Sequence, residues 1–358
     1  MSTRLKNLRA ALSKNELDAM LVSTPENRRY VSGFTGSWGY LFITAKGAVL
    51  ATDFRYVEQA GKQAPDFTVQ RIGGSADWLV NLASELGARR IGFESGNMTV
   101  ATHATYAKSF EKAGGIKREL VSTSGIVEKL RAYKDANELK LIERACDITD
   151  GAIEQVRKAI KPGMTEAQVA WDLEKAMRER GAEGLSFDII VGAGPNGAMA
   201  HHRAGDTVIK KGEPIVIDMG CMYKGYASDL TRTLFIGKPD AKFRKVYDTV
   251  LEAQLKAEDE VRAGMTGEQA DAIARKIIEA AGHGDDFGHS LGHGVGLEVH
   301  ENPRVGPKSD DVLEDSMVFT IEPGIYLSGW GGVRIEDMGV LENGRARILN
   351  TASKGDVV

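Results

Sequence analysis

Apolar and polar positions alternate with two different periods along the first third of the chain. Leu5, Leu8 and Leu12 mark one face of a short amphipathic helix. Ala19 to Ser23 reads as a strand, and Asn27 to Ser37 as a glycine-punctuated loop. Tyr40 to Thr44 and Ala48 to Thr52 are apolar runs joined by Ala45-Lys46-Gly47, which predicts a hairpin. Asp53 is placed to cap a helix running to Gln63. Strand-like Phe67 to Ile72, helical Asp77 to Leu86, strand-like Arg90 to Glu94, helical Val100 to Ala113 and strand-like Lys117 to Ser122 continue the alternation. That order predicts a small α/β domain.

The pattern changes near residues 123–133, which places an N-terminal domain at 1–127 and a second domain at 128–358. Asp135 with Glu138 forms a capping arrangement at the start of a long helix to about Ile160. An internal echo follows. Gly163-Met164-Thr165 precedes a helix ending near Gly181, and Gly264-Met265-Thr266 precedes one ending near Gly282. A long helix stands before each triplet, Asp135 to Ile160 and Asp240 to Val261. The second domain is therefore expected to be a twofold-repeated α+β unit with its site between the repeats.

Composition narrows the function classes. The formal net charge of -4 over 358 residues comes with no basic run, so neither a nucleic acid nor an anionic membrane is an expected partner. No stretch of apolar residues is long enough to span a bilayer, and the N-terminal segment lacks a signal peptide's apolar core. A cytoplasmic protein is expected. Cys146 and Cys221 are too few for a disulfide framework.

The chemistry concentrates in the last third. Phe287 to Glu301 carries His289, His293 and His300, three of the chain's seven histidines, separated by Gly288, Gly292, Gly294 and Gly296. So many glycines argue against a regular helix and suit close backbone approach. Four carboxylates flank the stretch in strand-like apolar runs. They are Asp218 after Pro214-Ile215-Val216-Ile217, Asp229 before Leu230, Glu322 after Val318-Phe319-Thr320-Ile321, and Glu336 after Val333-Arg334-Ile335. Buried carboxylates are costly unless they are paired or bind metal. Pairing with Arg232 and Arg334 accounts for one or two acids. Four acids with His293 make an oxygen-rich set suited to hard or borderline divalent cations. Five ligands suffice for two ions only if carboxylates bridge them.

These residues resemble the pita-bread metallopeptidases, specifically the Xaa-Pro group of prolidase and aminopeptidase P. The resemblance rests on the ordered set Asp218, Asp229, His293, Glu322 and Glu336 and on the blocks FGHSLGHGVGLEVHE, TIEPGIY and VRIED. It implies an α+β pita-bread catalytic domain preceded by a smaller creatinase-like α/β domain. It implies two divalent metal ions held by those five residues. Both the ligand type and the family point to Mn, leaving Co and Zn open. Glu322 would also accept the proton of the attacking water, and His300 would hydrogen-bond the carbonyl oxygen. His201 would orient the substrate, with His202 as a solvent-exposed neighbour. Arg334 would pair with a metal carboxylate or with the substrate's carboxylate. His289 and Tyr326 are candidates for the substrate pocket, and ordinary packing is the competing role for both.

The expected substrates are short peptides cut between an N-terminal residue and proline. The alternatives are a methionine aminopeptidase-like enzyme, a creatinase-like hydrolase, and a pita-bread domain used only for binding. The preceding domain and Arg334 argue against the first, and the full ligand set against the second. Dipeptidase and aminopeptidase P stay open, because the resemblance places Arg334 in both. The resemblance also implies a homodimer, with Trp38 in the loop Phe34 to Tyr40 reaching a neighbouring subunit's active site.

Overall fold

The computed structural model describes residues 2–357. It divides into two compact units, Met1–Arg131 and Ala132–Val358. Among the described residues, the first unit holds a six-stranded sheet. Ala19–Val22, buried along its whole length, pairs antiparallel with Tyr40–Thr44 and parallel with Arg90–Glu94.

Two local readings differ from expectation. The segment read as a loop contains the helix Pro25–Ser32. Pro25 sits where the first free N–H of a helix would be lost anyway, and Gly33 at φ 80 ends it in the left-handed region. Asp53 caps no helix: its carboxylate takes the Arg55 backbone N–H and guanidinium, and the helix begins at Val57. The division between the units falls after Arg131 and not at the 127/128 boundary read from sequence. The helix Ile126–Arg131 stays with the first unit because Val127 and Arg131 are buried there and Arg131 Nη1 donates to Asn27 Oδ1 at 2.8 Å.

In the second unit the echo is structural. Thr165 and Thr266 each cap a helix, Glu166–Glu179 and Gly267–Ala280, through a capping box with Gln168 and Gln269. Gly163 and Gly264 take positive φ, at 96 and 89, where a side chain would be strained. Each capping threonine also bridges an equivalent residue, Val208 and Val312. Asp135 closes a capping box with Glu138 at the head of Ala136–Arg157, and Asp240 caps Ala241–Glu260.

Each helix pair covers a sheet. Ile148, Leu173 and Met177 pack with Ile215, Ile217 and Leu230. Phe243, Tyr247 and Ala274 pack with Phe319, Ile321 and Val333. Each Ile, Leu, Val, Met or Phe side chain among these contributes roughly 1.5–3 kcal/mol when fully buried. The first sheet pairs Pro214–Met219 with Ile190–Ala193 and Leu230–Phe235. The second runs Glu301–Val305, Gly292–Gly294, Val318–Ile321, Asp337–Glu342, Arg345–Ile348. A bridge between Thr231 and Glu336 joins the two. The candidate ligands stand on the strands nearest that seam.

Candidate metal centre

A cavity of about 570 Å³ opens at the seam, within the range of small-molecule sites. Its walls include Asp218, Asp229, His293, Glu322 and Glu336, together with His201, His289, His300 and Arg334. Asp218 projects from Pro214–Met219, and Asp229 from the entrance of Leu230–Phe235. His293 lies on the short strand Gly292–Gly294. Its neighbours must be glycine: a Cβ at 292 would lie 1.9 Å from the Thr320 carbonyl oxygen, and one at 294 would lie 2.1 Å from that of Asn302.

Ligand atoms of Asp229, His293 and Glu336 all lie within 4.8 Å of one another. His293 Nδ1 donates to the Gly294 carbonyl oxygen at 3.1 Å, which leaves Nε2 facing the carboxylates, where its proton is shared with Glu322 until a metal ion takes its place. Nε2 stands 3.3 Å from Glu322 Oε1 and 3.7 Å from Asp229 Oδ2. Asp218 and Glu322 stand outside the tightest group. Asp218 Oδ2 is 2.5 Å from Arg334 Nη2, and Thr320 donates to Glu322 Oε1 at 3.1 Å.

Electrostatics makes this cluster costly for protein groups alone. Burial, then repulsion from neighbouring carboxylates, pushes Asp229 and Glu336 well above the ordinary carboxylate range. Burial also raises Asp218, against the pull of Arg334. Glu322 goes the other way: burial opposes its ionisation, but the His293 hydrogen bond and neighbouring positive groups hold it at about 2. Asp218 Oδ1 is buried with no hydrogen-bond partner among the described residues. An unsatisfied buried carboxylate oxygen, beside three further acids and an imidazole nitrogen, is a donor set that fits divalent cations.

The structure resolves roles that the sequence left open. Arg334 is buried and fully engaged: Nη2 on Asp218, Nη1 donating to Tyr326 Oη at 2.6 Å, Nε donating to Thr231 Oγ1 at 3.0 Å. Of its two expected partners it has the metal-site carboxylate. Tyr326 does not line the cavity as expected. It stands behind it, on the strand paired with Arg334's own, where its hydroxyl accepts from Arg334 and meets His289 Nε2 at 2.9 Å. His289 Nδ1 lies 2.8 Å from the Ser290 carbonyl oxygen, so Nδ1 carries the proton and Nε2 accepts from Tyr326. Burial pulls this imidazole down and keeps it neutral. A directed chain thus runs from Asp218 through Arg334 and Tyr326 to His289. His289 lines the cavity with both ring nitrogens already engaged.

His202 is not the solvent-exposed neighbour expected of it. Its Nε2 lies 2.8 Å from Glu166 Oε2, and Glu166 is fully buried, accepting also from Ala193 N and Asn196 Nδ2. His201 is the more exposed of the two on the cavity wall. Arg203 and Arg304 also line the cavity and were missed. The signal for Arg304 was present: along 300–305 the alternation puts His300 and Arg304 on one side and Glu301, Pro303 and Val305 on the other. Arg304 stands directly opposite His293 in the antiparallel pair.

Two repeats of helix-covered sheet, closing on a carboxylate- and histidine-walled cavity, define a metal-dependent hydrolase of the pita-bread architecture. The profile of metallopeptidase family M24 matches residues 140–343, and that of the creatinase/prolidase N-terminal domain matches residues 4–133. The chain belongs to metallopeptidase family M24 and is an enzyme of its creatinase/prolidase branch, a family that takes divalent metal ions. It is 41% identical to an uncharacterized peptidase of Bacillus subtilis over 97% of this chain and 98% of the other. It is 37% identical to the Xaa-Pro dipeptidase of Pyrococcus horikoshii over 98% of each. Among solved structures, an Xaa-Pro dipeptidase from Bacillus anthracis aligns with a TM-score of 0.95 at 40% identity, covering 99% of both chains. An X-Pro aminopeptidase from Thermotoga maritima aligns at 0.90 and 37%, also over 99% of both.

Proposed function

We propose that this enzyme is a manganese-dependent Xaa-Pro dipeptidase, with two metal ions held by Asp218, Asp229, His293, Glu322 and Glu336. The four-carboxylate donor set supports Mn over Zn. The observation that carries the dipeptidase reading is Arg304. Arg304 lines the cavity and its guanidinium has no side-chain partner among the described residues, whereas Arg334 is consumed by Asp218, Tyr326 and Thr231. A dipeptide's terminal carboxylate is the group Arg304 suits, because a planar fork reads a carboxylate in two hydrogen bonds.

Bound metal supplies Lewis acidity and lowers the pKa of water at the site. The chain's own residues do the rest. Glu322, held ionised, accepts the proton of the attacking water. His300 has its pKa lowered by burial and by neighbouring His293, so it is neutral near pH 7 and donates one N–H to the carbonyl oxygen as that oxygen gains charge. His201, also on the cavity wall, orients the substrate. Phe187 and Ile190 supply an apolar face for a pyrrolidine ring, whose nitrogen has no N–H to satisfy.

The relatives' names support a peptide substrate with proline in second position. The reading also includes a homodimer and a cytoplasmic location. Among the described residues no helix is long and apolar enough to cross a membrane. The loop carrying Trp38 is firmly built, which suits it to present a side chain to a second subunit: the Arg28 guanidinium binds the Gly36 and Gly39 carbonyls, and Thr52 Oγ1 donates to the Trp38 carbonyl at 2.8 Å. Light scattering at assay concentration tests the dimer, and a fully active monomer refutes it.

The substrate test compares kcat/KM for Xaa-Pro and Xaa-Pro-Yaa on manganese-loaded enzyme. A dipeptide preference is expected. A tripeptide preference above about tenfold, some 1.4 kcal/mol of transition-state binding, rejects the dipeptidase reading in favour of an aminopeptidase P. Cleavage of neither rejects both.

A further inference from the structure

Lys134 and Glu301 form an ion pair at 2.8 Å with side chains only 1% and 4% exposed. Neither residue belongs to the centre described above, and they are distant in sequence. A pair this deep is an expensive way to gain stability, because desolvating both charges offsets their attraction. What it does fix is geometry. Lys134 is anchored on its own account: its backbone N donates to the Ser316 carbonyl at 2.9 Å, and Nζ also donates to the Ala132 carbonyl at 3.2 Å. The Glu301 carboxylate lies directly beneath the turn that leads from His293 to His300. A Cβ on Gly296 would fall 2.3 Å from Glu301 Oε1, so that carboxylate is packed against the bare backbone of the turn. The top of the same turn is tied to the metal side, where Ala227 N donates to the Gly296 carbonyl at 2.8 Å, two residues before Asp229.

His300 precedes Glu301 and faces the opposite way, into the cavity, with its ring 4.2 Å from that of His293. Holding Glu301 therefore holds the backbone from which His300 is aimed. We propose that Lys134 is a positioning residue for His300, acting through the buried Glu301 carboxylate. The inference rests on the proposed role of His300 at the substrate carbonyl. An N–H that must meet an oxygen as it becomes charged tolerates little displacement, and misplacement by about 1 Å costs on the order of a hundredfold.

The test is a double-mutant cycle on manganese-loaded enzyme with Ala-Pro as substrate. The variants are Lys134→Met, His300→Ala and the two combined, with elemental analysis and thermal unfolding run alongside. K134M is expected to lower kcat by about ten- to a hundredfold, with KM within about twofold and metal content unchanged. In the H300A background it is expected to lower kcat no further. Should K134M fail to fold because Glu301 is left unpaired, the neutral pair K134M/E301Q keeps the volume without the stranded charge and carries the same expectation. Unchanged kcat with a lowered Tm overturns the proposal and leaves the pair as packing alone. An equal loss in the H300A background overturns it too. An H300A enzyme with normal kcat overturns the reading of His300 itself, a result distinct from a K134M enzyme with normal kcat.

Discussion

Replacing Arg304 by Met removes the guanidinium of a cavity-lining residue and leaves the fold's own hydrogen bonds intact. Arg304's backbone N–H to Asp311 and its carbonyl to Ser309 Oγ stay in place, and the side chain has no partner among the described residues to strand. The loss therefore falls on the substrate. A hydrogen bond to a charged group contributes about 1.5–3 kcal/mol, and a value at or just below the bottom of that range is apt because Arg304 is exposed to solvent. Two parallel bonds at roughly 1–1.5 kcal/mol each predict a drop in kcat/KM on Xaa-Pro of about thirty- to a hundred-and-fifty-fold. Capping the substrate supplies the control. Xaa-Pro amide offers no carboxylate, so wild type and R304M are expected to cleave it at similar rates. Arg304→Lys keeps the charge but not the fork, and an intermediate value is expected. Steady-state kinetics on free and amidated substrate measures all of these. An equal loss on both substrates, or none on either, would show that Arg304 does not read the carboxylate and would remove the main support for a dipeptidase.

Three further outcomes follow from the same geometry. Asp229→Ala takes one donor from the tightest group of ligand atoms and is expected to abolish activity and reduce bound metal; full activity at full stoichiometry would sink the site. His300→Ala is expected to cut kcat by about 10²–10³-fold with normal metal content, since it removes a donor aimed at the developing charge; loss of metal would make His300 a ligand instead. Tyr326→Phe leaves His289 Nε2 without a donor and Arg334 Nη1 without an acceptor, which costs about 1–3 kcal/mol for each buried group. A lower Tm is therefore expected, together with a rise in the manganese concentration needed for half-maximal activity as Arg334 and Asp218 lose their fixed geometry. Unchanged values of both would break the Asp218–Arg334–Tyr326–His289 chain.

Much of this protein is legible in its amino-acid sequence alone. The capping boxes at Asp135, Thr165 and Thr266 depend on residues three apart, so the helix starts can be read directly. The candidate ligands are legible because a carboxylate in an apolar strand is chemically conspicuous whatever surrounds it. The helix Pro25–Ser32 escapes a reading by composition because the glycines that follow it suggest a loop, although Pro25 and Gly33 mark its two ends. What the sequence does not decide is pairing. That Arg334 meets Asp218 rather than a substrate, that His202 turns to Glu166 and leaves His201 on the wall, and that Tyr326 stands behind the cavity are all contacts between residues far apart in the chain. The same holds for Lys134 and Glu301. A local pattern names the groups that need a partner, because burial makes an unpaired charge costly wherever it lies. Which partner each one has is set by the packing of two sheets and two helix pairs, and only the tertiary structure contains that.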